Sequence, residues 1–199
     1  MKKIGSILIL FLLIFQTCLA STYSSDPKVF IQELVNDSLN KLSDKNLTKE
    51  EKANFIETVA IENIDINALG LYTLGELRKS ADKSSLNKYQ KTFKKYFLKS
   101  LTSRLTDYSS NKFEVISAEK KSSNYTIVKS KVVQNKNQPE IKIDWRVYTK
   151  NPEKPLIRDL IVEGLSLART QKEEFASILN SNNNDIKILI IKLEEFLNN

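Results

Sequence analysis

The spacing of apolar residues changes twice along the chain, and each change marks a different kind of secondary structure. Apolar residues recur every three or four positions in stretches between residues 27 and 108, alternate with polar ones between residues 113 and 164, and return to the first spacing from residue 166 onward. A period near 3.6 predicts amphipathic helices, and a period of two predicts half-buried strands. Because the strands form one uninterrupted run between helices, the pattern predicts an α+β fold.

Side-chain acceptors placed before the apolar runs set the predicted starts of the helices. Asp26 followed by proline is typical of an N-cap and a first helical turn, and it predicts a helix from Pro27 to Ser43. The sequence "TKEE", Thr48–Glu51, is a capping box that begins a second helix. The other predicted helices are a short segment capped by Asp65, a long one from Lys83 to Tyr108, one from Ser166 to Leu179, and one capped by Asp185.

The short segment capped by Asp65, "INALGLYTLGEL", is apolar on most sides and contains two glycines. Gly70 and Gly75 each weaken a helix by about 1 kcal/mol relative to alanine. Glycine suits such a position when another group approaches the backbone closely. We therefore expect a close neighbour beside this segment.

The long helix separates an apolar face from a basic one. Phe93, Phe97 and Leu101 lie on the apolar face at helical spacing. The lysines lie largely elsewhere, at Lys88, Lys91, Lys94, Lys95 and Lys99. One interpretation is a core-facing stripe with a solvated back, which is usual for a surface helix. The other is that the lysines form a docking surface for anionic headgroups or an acidic partner.

Four alternating segments joined by polar and proline-containing turns predict an antiparallel, four-stranded sheet. They read "FEVISAEK", "YTIVKSKVVQ", "EIKIDWRVYTK" and "PLIRDLIVEG". In the third segment Trp145 and Val147 share an apolar face, whereas Asp144 and Arg146 alternate on the other face and are expected to form a solvated ladder. Trp145 fits either a core position or a platform for a ligand.

The first twenty residues have the layout of a secretory signal peptide, in which two lysines, an apolar run and small residues follow one another. The run Ile4–Phe15 is shorter than the roughly 20 residues that cross a bilayer. We expect cleavage between Ala20 and Ser21, which would leave residues 21–199 as a single exported domain. The alternatives are retention as an N-terminal anchor and lipid attachment at Cys18.

Composition excludes most catalytic chemistry. The sequence has no histidine, and Cys18, its single cysteine, lies in the predicted leader. Histidine-based triads, histidine-ligated zinc and cysteine chemistry are thus excluded from the mature chain. We find no phosphate-binding loop, dinucleotide fingerprint or metal-spaced carboxylate cluster, so we expect no metal and no cofactor.

The charge is modestly basic. Loss of Lys2 and Lys3 with the leader would lower the net charge from +7 to +5. For an exported chain this surplus favours anionic membrane surfaces or acidic partners, and it does not favour nucleic acid.

Asp159 and Glu163, near the end of the fourth strand segment, are a carboxylate pair that could in principle do acid–base work. Arg158 and Lys154 are neighbours that would pair with them. Because such pairs are common and weak indicators of a site, we favour a structural role over catalysis.

The segment "DLIVEGLSLARTQKEEFASIL", Asp159–Leu179, resembles the MlaC family of periplasmic phospholipid carriers. Members pass from a last strand of the form D-x-x-[IV]-E-G-[VI]-S-L into a helix ending near F-x-S-[IL]-[IL]. Upstream, "LGLY" is similar to the family's L-G-x-Y segment, and "KTFKKYFLKSLTSRLTDYSSNKFEV" is similar to its long aromatic helix. Two features depart from the family. Thr73 and Leu74 stand where W-R is common, and "NPEKPLIRD" lacks the usual glycine and tryptophan.

The resemblance implies a monomeric, non-enzymatic periplasmic protein in which a curved sheet and helices enclose an apolar cavity for phospholipid acyl chains. Such carriers shuttle lipid between an outer-membrane lipoprotein complex and an inner-membrane ABC transporter. A carrier is needed because a saturated chain of about 16 carbons costs on the order of 12 kcal/mol in water. The junction at Gly164 would be a bend that lets the following helix fold over the cavity.

The residues expected to line this cavity are apolar and come from three parts of the chain. They are Leu71, Tyr72, Phe93, Phe97, Leu101, Trp145, Val147, Val162 and Leu165. Each would fit equally well in an ordinary hydrophobic core, because apolar burial alone does not distinguish a residue that lines a cavity from one that fills the core.

Two other classes of function remain open at this point. An exported hydrolase or isomerase would need ionisable side chains pointing into its pocket, and the apparent inward faces offer little beyond tyrosine. A non-catalytic interaction module would have a solid core and would bind its partner through the lysine face.

Overall fold

In a computed structural model, residues 23–106, 112–133 and 140–199 are described. The predicted leader lies outside these ranges, as does Tyr108, the predicted end of the long helix. The described helices are α1 (Pro27–Ser43), α2 (Lys49–Asn63), α3 (Ile66–Thr73), α4 (Leu77–Ser80), α5 (Lys83–Leu105), α6 (Leu167–Asn180) and α7 (Ile186–Asn198). None of these helices has both the length and the apolar character that crossing a membrane requires.

The predicted N-caps are confirmed. The Asp26 carboxylate accepts hydrogen bonds from two backbone N–H groups of the first turn of α1. Thr48 and Glu51 form the reciprocal bonds of a capping box at α2. Asp65 and Asp185 cap α3 and α7. These acceptors satisfy N–H groups that have no partner inside the helix, and they therefore fix where each helix begins.

The sheet is open, curved and antiparallel, and each strand pairs with the next along the chain. Its strands are β1 (Lys112–Ser122), β2 (Tyr125–Val133), β3 (Ile141–Tyr148), β4 (Leu156–Val162) and β5 (Leu165–Ser166). The predicted α+β class and the first four strands are confirmed.

The predicted number of strands was one too few. Glu163 and Gly164 have φ values of 49° and 83° and form a two-residue turn. Positive φ at both central residues matches the twist of a hairpin, so the chain folds back on β4. Leu165 then pairs with Val162 and Ser166 pairs with Ile161. A strand of two residues is too short for an alternation of apolar and polar residues to be recognised in the sequence.

The described core consists of two hydrophobic clusters. The helical cluster combines residues of α2, α3, α5, α6 and α7, with Tyr89, Phe93, Phe175 and Leu189 among its buried members. The sheet cluster packs α1 against one face of the sheet. Its buried members are Phe30, Ile31, Leu34, Phe113, Val128, Val132, Trp145, Val147 and Ile157. Ile64, between α2 and α3, packs against both clusters.

The close neighbour expected beside the glycine-containing segment is Phe93. A Cβ atom added at Gly70 would lie 2.8 Å from Cδ1 of the Phe93 ring, which is closer than real contacts allow. The absence of a side chain at residue 70 thus lets α3 lie directly on α5. The helix in this segment ends at Thr73, although the apolar residues continue beyond it to Leu77. Gly75 follows the helix with a φ of +57°.

Candidate functional site

A cavity of about 570 Å³ lies between α3, the strands β2 to β4 and the start of α6. Pockets that bind small molecules typically span roughly 300–1,000 Å³. The wall formed by α3 is mainly apolar and includes Ala68, Leu69, Leu71 and Tyr72. The remaining lining residues are Arg78, Tyr125, Arg146, Arg158, Asp159 and Ala168. The cavity therefore joins an apolar wall to a cationic one.

Asp65 fastens the apolar wall to the sheet. Its Oδ1 accepts a hydrogen bond from the Ala68 N–H of α3 at 3.1 Å, and its Oδ2 lies 2.6 Å from Nη2 of Arg158. The Asp65 N–H also donates to the Ile157 carbonyl oxygen of β4 at 2.9 Å. One residue thus holds the beginning of α3 at a fixed place beside β4.

Arg158 is held by contacts on every side of its guanidinium. Nε donates to Asp65 at 2.8 Å, and Nη1 donates to the Tyr125 hydroxyl at 2.8 Å. The guanidinium carbon lies 3.4 Å from the centroid of the Tyr148 ring. Burial disfavours the charged form, but the bonds to Tyr125 and Asp65 outweigh it and raise the pKa of Arg158. This side chain is consequently a fixed positive charge in the cavity wall.

Asp159 is a buried carboxylate that organises the start of α6. Its side chain accepts hydrogen bonds from the Ser166 hydroxyl at 2.6 Å and from the Ala168 N–H at 3.0 Å. The residue is only 5% exposed. Nη1 of Arg146 lies 3.7 Å from Oδ2, which is beyond hydrogen-bonding distance. These contacts are those of a structural carboxylate.

The sequence-based pairing of the two carboxylates with Arg158 and Lys154 differs from what the structure shows. Arg158 pairs with Asp65, and Arg146 is the arginine beside Asp159. Glu163 lies in the turn before β5 and accepts the backbone N–H of Lys142. Arg146, expected on a solvated strand face, lines the cavity.

Of the nine residues predicted to line a lipid cavity, Leu71 and Tyr72 line this one. Phe93 is buried in the helical cluster, and Phe97 and Leu101 pack against it. The structure therefore brings the three α5 residues together, but as part of the helical core.

The other four predicted residues belong to the sheet. Trp145 and Val147 are buried in the sheet cluster, and the Trp145 Nε1 group donates to the Ser130 hydroxyl at 2.8 Å. Val162 is half-buried at the end of β4, and Leu165 in β5 is 60% exposed. Their role in lipid binding stays a prediction.

Sequence reasoning missed the arginines and Tyr125. Strand register is what brings them together, because Arg146 of β3 lies opposite Asp159 of β4, and Tyr125 of β2 lies opposite Tyr148. The register shifts between Arg146 and Val147, so simple alternation does not place the β4 residues correctly. The available signal was the position of Arg146 and Tyr148 on the same face of one strand.

No group of three or more acidic, cysteine or histidine residues suited to a metal ion occurs in ranges 23–106, 112–133 and 140–199. The ionisable groups at the cavity are mainly arginines, whose charge does not change near neutral pH. The arrangement suits binding of an amphiphile with a negative charge better than proton transfer.

Comparison with known proteins places this geometry in a family. A phospholipid-binding protein from Ralstonia solanacearum, solved in complex with a phospholipid, superposes with a TM-score of 0.68 at 20% identity, covering 84% of this chain and 94% of that one. At this identity the likeness establishes a shared fold. No match is found among curated proteins. The MlaC protein family matches residues 32–195, most of the sequence, and the chain belongs to the MlaC family.

Proposed function

We propose that this protein is a periplasmic, non-enzymatic carrier that binds phospholipid and shuttles it between an outer-membrane lipoprotein complex and an inner-membrane ABC transporter. Membership of the MlaC family supports this function, as does the fold shared with a phospholipid-bound protein. The observation that carries it is the cavity itself, in which the apolar wall of α3 faces the arginines of the sheet. A phospholipid presents the same two chemistries, hydrocarbon and an anionic phosphate.

The acyl chains are proposed to enter along α3, where Leu71 and Tyr72 line the cavity. Deeper in the molecule the chains would contact Phe93, Phe97 and Leu101 of the helical cluster, and Trp145, Val147, Val162 and Leu165 of the sheet. The two clusters meet at Ile64, so hydrocarbon inserted between them would replace contacts between apolar side chains. Such an exchange keeps apolar surface away from water, and this limits its free-energy cost.

The outer face of α5 is proposed to dock on anionic headgroups or an acidic partner. Lys88 pairs with Glu194 at 3.2 Å, and Lys99 donates to carbonyl oxygens at the end of α7. Lys91 and Lys95 are exposed and, within the described residues, form no ion pair. These two lysines are therefore available to a partner.

Native mass spectrometry of protein purified gently from the periplasm tests lipid binding. We expect a bound mass of phospholipid size that survives mild ionisation and is lost on delipidation. The intact mass should also correspond to a chain beginning at Ser21. Protein that is purified empty and also takes up no lipid from vesicles would contradict the carrier function.

A second candidate is a non-catalytic interaction module. It is favoured by the tight packing around Phe93, where the ring leaves no room for a Cβ atom at Gly70. Such a module would bind its partner through Lys91 and Lys95 and would need no lipid. Partner binding that is equally strong for empty and lipid-loaded protein would favour it over the carrier.

A further inference from the structure

We propose, building on the carrier function above, that Arg146 and Arg78 form a recognition site for the phosphodiester group of the bound lipid. Both side chains line the cavity, Arg146 from β3 and Arg78 from α4, the short helix that follows the apolar wall. The guanidinium group presents its N–H donors in a planar fork that matches two oxygens of a phosphate.

Arg146 has unused hydrogen-bond donors. Its nearest carboxylate, Asp159, lies 3.7 Å away and has both oxygens engaged by Ser166 and Ala168. The Arg146 side chain is 43% exposed, and no described residue accepts a hydrogen bond from it. An arriving phosphate oxygen would therefore gain charged donors without displacing an existing bond.

Arg78 is the second arginine with N–H donors that have no acceptor in the described structure. Its Nη1 donates to the Gly75 carbonyl oxygen at 2.8 Å, which anchors one end of the guanidinium beside α3. Within the described part of the chain, no carboxylate lies close enough to form an ion pair with it. Arg78 lines the same cavity as Arg146, and its other N–H groups donate to no described residue.

Arg158 differs, because Asp65, Tyr125 and the Tyr148 ring already occupy its guanidinium. It is a positioning residue for Tyr125. The Tyr125 oxygen accepts from Arg158, so the hydroxyl hydrogen remains available to a ligand in the cavity.

The charges at the site suit a phosphodiester. Three lining arginines contribute +3, and the carboxylates of Asp65 and Asp159 beside two of them offset this by −2, which leaves +1 among these five groups. Just outside the lining, Lys172 lies over the Tyr72 ring, and Glu76 pairs with Lys79 and interacts with Arg78. A phosphodiester carries a single negative charge and would neutralise this excess. Partial exclusion of water strengthens the attraction relative to an exposed pair.

A competition between two lipids tests the site. Delipidated mature protein is incubated with vesicles that contain equal amounts of phosphatidylglycerol and of diacylglycerol with the same chains, and native mass spectrometry measures the two complexes. We expect the wild type to favour phosphatidylglycerol by at least about tenfold, given the strength of hydrogen bonds to charged groups. The double variant Arg78→Gln/Arg146→Gln should bring the ratio close to one while diacylglycerol loading is unchanged.

Two further variants make the result interpretable. Arg104→Gln changes an exposed arginine on α5, outside the cavity lining, and should keep the wild-type ratio. Arg146→Lys keeps a positive charge beside Asp159 and should give an intermediate ratio, because lysine lacks the planar fork. Thermal unfolding of each variant reports whether the fold is retained.

The outcomes separate this inference from the carrier function. If the double variant loads lipid and keeps the wild-type preference, the phosphate site is wrong and the carrier function stands. If the wild type loads neither lipid, the carrier function itself fails. Calorimetry with inorganic phosphate alone should show no comparable binding to the wild type. Binding as tight as that of phosphatidylglycerol would make free phosphate the ligand and overturn the assignment to a headgroup.

Discussion

The helical cluster pairs its buried polar groups with one another, whereas the cavity leaves some hydrogen-bond donors of its lining without an acceptor. In the cluster, the Thr73 hydroxyl donates to the Gly70 carbonyl oxygen and shares a 2.7 Å hydrogen bond with the Tyr89 hydroxyl. In the cavity, the N–H groups of Arg146 have no described hydrogen-bond acceptor, and the Tyr72 side chain is 38% exposed. Both regions use residues of the α3 segment, so its two sides have different tasks. Polar groups whose hydrogen bonds are complete and buried support the fold, and donors that lack an acceptor at a cavity remain available to a ligand.

Phe93→Ala should give the largest change, because it removes a ring from the interior of the helical cluster. We expect the free energy of unfolding of the empty protein to fall by roughly 3–5 kcal/mol. Chemical denaturation measures this, with Phe97→Ala as a half-buried comparison that should lose less. A loss below about 1 kcal/mol would mean that Phe93 borders open space in solution, as expected for a cavity wall.

Asp159→Asn should change stability and binding in opposite directions. The free energy of unfolding should fall by roughly 1–3 kcal/mol, since charged hydrogen bonds to Ser166 and Ala168 at the start of α6 are weakened. The positive charge at the cavity would rise, so the preference for phosphatidylglycerol over diacylglycerol should increase. An unchanged or lower preference would contradict a role for the cavity's charge in recognition.

Tyr89 should make the helical cluster sensitive to alkaline pH. Burial raises the pKa of Tyr89 above its ordinary value, and the hydrogen bond to Thr73 offsets only part of this effect. The folded protein then keeps the phenolic proton at a pH where the unfolded chain releases it. Stability from this group is therefore complete below about pH 10 and is lost above it, at about 1.4 kcal/mol per pH unit.

The variant Tyr89→Phe isolates this contribution. Unfolding measured from pH 9 to 11 should show a shallower decline for the variant than for the wild type. Equal slopes would show that Tyr89 does not remain protonated inside the folded protein.

Tyr72→Ala should affect lipid loading more than stability. The side chain is 38% exposed, so the free energy of unfolding should fall by less than about 1.5 kcal/mol. Affinity for phosphatidylglycerol should fall by roughly tenfold, because part of the apolar wall is lost. Tyr72→Phe keeps the ring and should load lipid normally. Normal loading by the alanine variant would remove Tyr72 from the proposed lining.

Lys91→Glu/Lys95→Glu should have the smallest effect on stability, within about 0.5 kcal/mol. Lipid transfer to anionic vesicles should nevertheless slow several-fold at low ionic strength, and the difference should shrink in high salt. The matched variant Lys91→Gln/Lys95→Gln should lie between the two. Transfer at the wild-type rate in low salt would place docking on another surface.

Local signals allowed most of the fold to be predicted from the sequence. Caps such as Asp26 and Thr48 act within one helical turn, and strand alternation repeats every two residues, so neither depends on distant parts of the chain. Strand β5 was missed because its two residues are specified by the turn at Glu163 and Gly164. Helix caps and strand alternation are both read without knowing which residue lies opposite.

The cavity was harder to predict because it depends on contacts between distant residues. Leu71 and Phe93 are both apolar residues at helical spacing, yet one lines the cavity and the other fills the core. Periodicity reports that a side chain faces inward, and it carries no information on the neighbour it meets. Arg146 and Asp159 are placed together by the register of β3 with β4, which includes a local shift.

The turn that positions Ser166 for its bond to Asp159 is constrained by chirality. A Cβ atom at Gly164 would have nothing within 4 Å, so space is not what requires glycine there. Its φ of +83° is sterically unfavourable for an L-residue and favourable for a D-residue. A D-alanine introduced at residue 164 by semisynthesis would therefore make the turn at Glu163 and Gly164 more rigid. An L-alanine at the same position would strain the backbone of that turn.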